Sequence, residues 1–164
     1  MSGKDRLKLR VEWGEFTEDL EGNPDDVVRA LVTSLSQLYP SLDVARQLVF
    51  QPDLTQLADS LIGLVEFAPE GILVLASESP AEDAIVIALV GSYVGYRLGQ
   101  IDDDTCSAMN LAKYTGKALK TISNQLAWMV DDGLVERVER GKYRIASLGI
   151  KRFERIAPRF QHEE

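Results

Sequence analysis

Apolar residues alternate with charged ones at the start of the chain. Leu7, Leu9, Val11 and Trp13 are separated by Lys8, Arg10 and Glu12, a period of two that predicts a half-buried strand. Gly14 marks a turn, and Phe16, Glu18 and Leu20 share one parity of a second strand, so a β-hairpin is expected. The period then lengthens. Asn23-Pro24-Asp25-Asp26 combines a capping side chain, a proline suited to the first helical position and two carboxylates at the positive end of the helix dipole. Val27, Val28, Leu31, Leu35 and Leu38 follow at helical spacing. A second helical segment is expected over 41–50. A third follows Pro52, with Leu54, Leu57, Ala58, Leu61, Ile62 and Val65 on one face. Pro69-Glu70-Gly71 breaks it, and the apolar run 72–76 is either a strand or simply extended.

Ser79-Pro80-Ala81-Glu82 has the spacing of a capping box and opens a long apolar helix over 80–98. Its most apolar run, Ala84 to Val90, extends only to Leu98, short of the about 20 apolar residues a bilayer span needs, so a buried helix is expected. Gly91, Gly95 and Gly99 recur every four residues. Two readings remain open, a close helix–helix contact across a dimer and close packing inside one domain, and the second is the simpler. Residues 100–105 form a polar, acidic loop.

From Thr105 the pattern becomes specific. Ala108, Leu111 and Ala112 line a short helix that ends near Gly116, a residue suited to a tight interhelical turn. A second helix is expected over 117–132, with Leu119, Ile122, Leu126, Met129 and Val130 as its buried stripe. Gly133 stops it. Strands are expected on either side of Glu139-Arg140-Gly141-Lys142, where Gly141 is free to take positive φ. A closing helix spans 148–156.

This order resembles the winged helix-turn-helix domains of prokaryotic transcription regulators of the arsenic-repressor and multiple-antibiotic-resistance types. The matching residues are 120–126, Met129, 133–137, 143–145 and Gly149. The likeness covers 105–157, or begins at 80 if the glycine-bearing helix is the domain's first. The N-terminal half carries no such resemblance. The expected fold class is therefore α+β and mainly helical. A small acidic α+β domain over 1–78 precedes a winged helix over 79–164.

With the buried stripe facing inward, Lys117, Lys120, Thr121, Asn124 and Trp128 point outward and Gln125 lies on the flank. The resemblance puts Lys120, Thr121, Asn124 and Gln125 where such regulators touch DNA. Asn and Gln pair bidentately with adenine, and Lys and Thr reach bases or phosphates. Arg140 and Lys142 at the wing tip would reach a minor groove or the backbone, with Arg137 and Arg144 beside them. Trp128 is unusual on an outward face; packing under the wing is the favoured reading, over interface stacking or a helix phase off by one.

Charge changes the picture. The net charge is −8 over 164 residues, which argues against a protein that coats nucleic acid. The sign is uneven: residues 1–104 carry 7 basic and 19 acidic side chains, residues 105–164 carry 11 and 7. Double-stranded DNA is the expected partner of the basic part, and a protein the candidate partner of the acidic part. A homodimer is also expected, through the glycine-bearing helix or through Phe153, Ile156 and Phe160, because such regulators bind two half-sites. The rival expectation is an adaptor whose winged helix docks other proteins.

Candidate chemistry is sparse. The single cysteine, Cys106, excludes an internal disulfide and reads as a plain thiol, which fits a cytoplasmic protein. The one histidine, His162, lies in the polar tail. Gly91-Ser92-Tyr93-Val94-Gly95 matches a G-x-S-x-G elbow only in letters, because it falls inside a helix. The run 102–104 reads as a solvated acidic loop and lacks the other ligands of a calcium loop. No phosphate-binding or dinucleotide fingerprint occurs. No enzymatic activity, metal or cofactor is expected.

Overall fold

The computed structural model describes residues 6–38 and 48–161. The chain is α+β and mainly helical, with small antiparallel sheets. It divides into two compact units, Met1–Gln51 and Pro52–Glu164.

In the first unit, strands β1 (Leu7–Trp13) and β2 (Phe16–Gly22) form the expected hairpin. The register runs from Leu7 opposite Gly22 to Trp13 opposite Phe16. Gly14 at φ 59° supplies the turn. Leu9 thus faces Leu20, and Val11 faces Glu18. The other face carries the charges, where Lys8 lies 3.3 Å and Arg6 3.6 Å from Glu21, and Arg10 lies 3.0 Å from Glu12. Helix α1 (Pro24–Leu38) packs on both strands. Asn23 Oδ1 accepts the Asp25 N–H at 3.2 Å, as the capping pattern predicts. The segment expected over 41–50 lies largely outside the described residues, as does His162.

The second unit begins at Pro52, well before the boundary drawn at 78/79. Helix α2 (Leu54–Leu61) starts at Asp53, whose side chain accepts the Gln56 N–H at 3.1 Å. It ends earlier than its apolar periodicity predicts. Gly63 takes φ 80°, a conformation a helix cannot continue through, and Val65 opens a strand instead. Strands β3 (Val65–Ala68) and β4 (Gly71–Val74) pair as a tight hairpin, so residues 72–74 of the ambiguous run are strand and 75–76 are not.

Helix α3 (Ala81–Arg97) is the axis of this unit. Residues 84–90 are completely buried, as a helix apolar on every side must be. Around it pack α2, the β3–β4 hairpin and the C-terminal elements. The capping box does not form. Pro80 is the N-cap and makes no side-chain cap bond, while the Ser79 hydroxyl donates to Ala76 O. Glu82 instead lies 3.3 Å from Arg152. The glycine pattern also resolves. Added β-carbons at Gly91 and Gly95 would meet Val65, Ile72 and Phe67, so this face packs against the hairpin, neither on a helix nor across a dimer. Gly99, at φ 70°, ends the helix.

Next come β5 (Cys106–Ser107), α4 (Ala108–Thr115) and α5 (Leu119–Asp131). Ser107 caps α4 by accepting the Asn110 N–H at 3.1 Å, and Gly116 ends it in the left-handed region at φ 69°. Helix α5 starts two residues later than predicted, leaving Lys117 in the turn. Ile122, Leu126 and Met129 are buried as expected, whereas Leu119 is 46% exposed. Strands β6 (Val135–Glu139) and β7 (Lys142–Ile145) form a hairpin around Gly141, and β5 adds to the β7 edge, giving the order β5-β7-β6. Helix α6 (Ser147–Phe160) closes the unit. Phe153 and Ile156 are fully buried in it, so they offer no dimer surface. Among the described residues no helix is long and apolar enough to cross a membrane.

Candidate nucleic-acid interface

The outer face of α5 follows from its inner one. Ile122, Leu126 and Met129 recur at helical spacing and are buried to within 1%, which turns Lys120, Thr121, Asn124 and Trp128 to solvent. From Lys120 to Trp128 this face spans about 12 Å of helix. Gln125 is half-buried on the flank, as expected. The N-cap, Ala118, makes no side-chain cap bond. The first-turn N–H groups and the dipole therefore present positive potential beside Lys120. Asp131 and Asp132 give the other end the opposite sign.

Lys117 is not on this face. It is half-buried, and its ammonium donates to Ser77 O at 3.0 Å, tying the interhelical turn to the segment after β4. Trp128 is 69% exposed. The expected packing under the hairpin does not occur, and the helix phase is as read.

The β6–β7 hairpin carries Arg137, Arg140, Lys142 and Arg144. Arg140 is exposed at the tip. Arg137 donates to the Tyr143 hydroxyl at 3.0 Å, with its guanidinium 5.5 Å from that ring. Lys142 Nζ lies 3.4 Å from Asp103 Oδ2, and Arg144 lies 3.7 Å from Asp104 and 3.8 Å from Glu136. The acidic run read as a solvated loop is thus folded against β7. Asp103 is held by the Thr105 N–H at 2.9 Å and the Thr105 hydroxyl at 2.8 Å. These bonds, the backbone one foremost, keep its carboxyl below the usual carboxylate range. The signal was present in the sequence as alternation: Lys142 and Arg144 share one face of a strand.

Behind this pair opens a cleft of about 590 Å³ lined by Gly71, Cys106, Asn110, Tyr114 and Lys142. Cys106 is 4% exposed, with Sγ 3.0 Å from Ser92 Oγ. Burial pushes its thiol upward, against the lowering effect of the Ser92 contact, which is the opposite of an activated nucleophile. Ser92 is itself fully buried and donates to Ala88 O at 3.0 Å within α3. Among the described residues no three side chains of His, Cys, Asp or Glu gather into a metal-binding group.

Comparison of the chain with protein-family models, with curated proteins and with solved structures returned no match.

Proposed function

We propose that the C-terminal part of the chain is a winged helix-turn-helix that binds double-stranded DNA, and that the protein is a non-enzymatic, cytoplasmic transcription regulator acting as a homodimer. The observation that carries this reading is the outer face of α5. Lys120, Thr121 and Asn124 stand side by side in solvent above a fully buried stripe. The order of elements supports it too: a short helix, a turn at Gly116, a second helix, a hairpin with an exposed arginine at its tip, and a third strand from the segment before α4.

On this reading α5 enters the major groove. Asn124 reads an adenine edge, Lys120 and Thr121 contact bases or phosphates, and Gln125 supports them from the flank. Arg140 reaches the backbone or the minor groove from the hairpin tip. Lys117 stands off the α5 face, in the turn before the helix, with its ammonium donating to Ser77 O. The homodimer contact lies elsewhere than on Gly91, Gly95, Phe153 and Ile156, which are enclosed in their own unit.

The test is a salt-resolved titration of the full chain with duplex DNA, first random and then selected. Asn124→Ala should cost about 1–3 kcal/mol of base preference and leave random-sequence affinity unchanged. Arg140→Ala should weaken binding to every sequence and lower the salt slope by about one. The second reading, a protein-docking adaptor, draws on Trp128. An aromatic 69% exposed on the same face, next to Asp131 and Asp132, suits a protein partner better than phosphate. Absence of DNA binding at low salt, with Asn124→Ala and Arg140→Ala both silent, would favour it.

A further inference from the structure

The acidic loop between α3 and β5 meets the β6–β7 hairpin in a specific way. Asp103 faces Lys142 and Asp104 faces Arg144, at 3.4 and 3.7 Å. Lys142 and Arg144 project from the same face of β7, so consecutive carboxylates of the loop meet alternate cations of the strand. The loop is not a loose tether. Asp103 is fixed by two bonds to Thr105, and the Asp104 side chain is only 19% exposed.

The pairing is electrostatically favourable and geometrically incomplete. Arg144 Nε is buried and makes no hydrogen bond. Glu136 on β6 stands 3.8 Å from it, and Asp104 of the loop stands 3.7 Å from the neighbouring Nη1; both lie beyond hydrogen-bond reach. With the loop displaced, a phosphate, whose oxygens match the guanidinium fork, would bond the Arg144 group that Asp104 holds only at ion-pair distance.

We infer that Asp103 and Asp104 act as an intramolecular phosphate mimic, occupying Lys142 and Arg144 so that a nucleic-acid backbone must displace the loop before β7 can grip it. This rests on the DNA-binding reading above. In a chain of net charge −8, it would keep a basic hairpin from gripping polyanions indiscriminately. Sequence-independent binding is held down, and base contacts from α5 must contribute the free energy that opens the loop.

The mimic also sets the salt dependence. A cation whose charge is already partly neutralised by a carboxylate, and whose carboxylate must be parted from it before it can meet phosphate, contributes less to net ion release than a free one. Removing the carboxylates should therefore both tighten binding and steepen its salt slope.

The experiment uses the full chain and fluorescence anisotropy with a random-sequence duplex of about 20 base pairs, over about 20–200 mM salt. The variants are D103N, D104N and their combination. Asparagine keeps an Oδ1 acceptor for the Thr105 N–H and hydroxyl, so the loop's own turn survives. The double variant should bind about three- to tenfold tighter at about 100 mM salt. Its log–log salt slope should be steeper by about one to two. Adding K142A and R144A should erase both gains. If wild type binds and the double variant matches it in affinity and slope, the mimic is refuted while DNA binding stands. If neither binds even at the lowest salt, the DNA-binding reading and the mimic fall together.

Discussion

Replacing Gly149 by alanine sets two known magnitudes against each other. Alanine is favoured over glycine in a helix by about 0.8–1 kcal/mol, and Gly149 lies in the first turns of α6 with no positive φ to forbid it. Its missing side chain, however, is a packing requirement. A β-carbon there would collide with the Leu134 carbonyl oxygen and the Ile145 side chain. Leu134 O accepts the Ala146 N–H at 3.0 Å, so retreat costs that bond, about 0.5–1.5 kcal/mol. Ile145 is 5% exposed and has no room to move. Overpacking against such a site costs about 1–3 kcal/mol. The propensity gain loses, and the net expectation is a destabilisation of about 1–3 kcal/mol.

Two other helical glycines calibrate this reasoning. A β-carbon at Gly91 would sit 3.5–3.7 Å from Val65 and Ile72, an ordinary contact distance. G91A should therefore keep most of the propensity gain and stabilise by about 0.5–1 kcal/mol. At Gly95 the Phe67 ring would lie 2.6 Å away, but that ring is 39% exposed and can swing aside. G95A should thus fall between the other two. Urea denaturation followed by far-UV circular dichroism reads the series directly, provided the m-value stays constant. G149A as stable as wild type, or G91A weaker by more than about 1 kcal/mol, would refute the packing argument rather than the propensity one.

A fragment beginning at residue 79 should fail to fold cooperatively, whereas one beginning at residue 52 should melt in a single transition. The shorter fragment loses the buried Leu57, Leu61, Leu64 and Ile72. These are worth about 1.5–3 kcal/mol each against a typical total stability of about 5–15 kcal/mol. Circular dichroism and limited proteolysis would compare the two, and a stable 79–164 fragment would sink the claim. Cys106 should react with a disulfide reagent far more slowly in the native protein than in urea. Its thiol titrates higher folded than unfolded, so the folded state keeps that proton longer. Stability should therefore fall as pH rises above the unfolded thiol's range, a decline that Cys106→Ala should reduce. Fast native labelling would contradict the burial.

The local elements were legible because short-range forces set them. The β1–β2 hairpin follows from alternation plus Gly14, the α1 start from Asn23-Pro24, and the β6–β7 turn from Gly141. Each needs only residues within a few positions of one another. The errors fall where the deciding contact is distant in the chain. The helical face drawn through Val65 is real as a pattern, but β4 offers Val65 a strand partner in Val74, and Gly63 lets the chain turn to meet it. Ser79 and Glu82 have capping-box spacing, yet Arg152, seventy residues away, takes the glutamate.

The same division runs through the candidate site. Periodicity by itself determined which residues of α5 face outward, because a helix with one apolar stripe has one orientation against a core. That argument placed Lys120, Thr121 and Asn124 in solvent, with Gln125 at the edge; it turned Trp128 outward too, but the packing under the hairpin expected for that ring does not occur. Only the tertiary structure decided which cations remain available. Lys117 is drawn into the fold by a backbone carbonyl, and Lys142 and Arg144 by carboxylates about forty positions earlier in the chain. It likewise decided that the Gly91–Gly95 face packs on a hairpin. Helical spacing says that a surface admits close approach, and it carries no information about what approaches. Charge pairing between loops and strands is equally silent in one dimension, because Coulomb attraction depends on distance in space and not on separation along the chain.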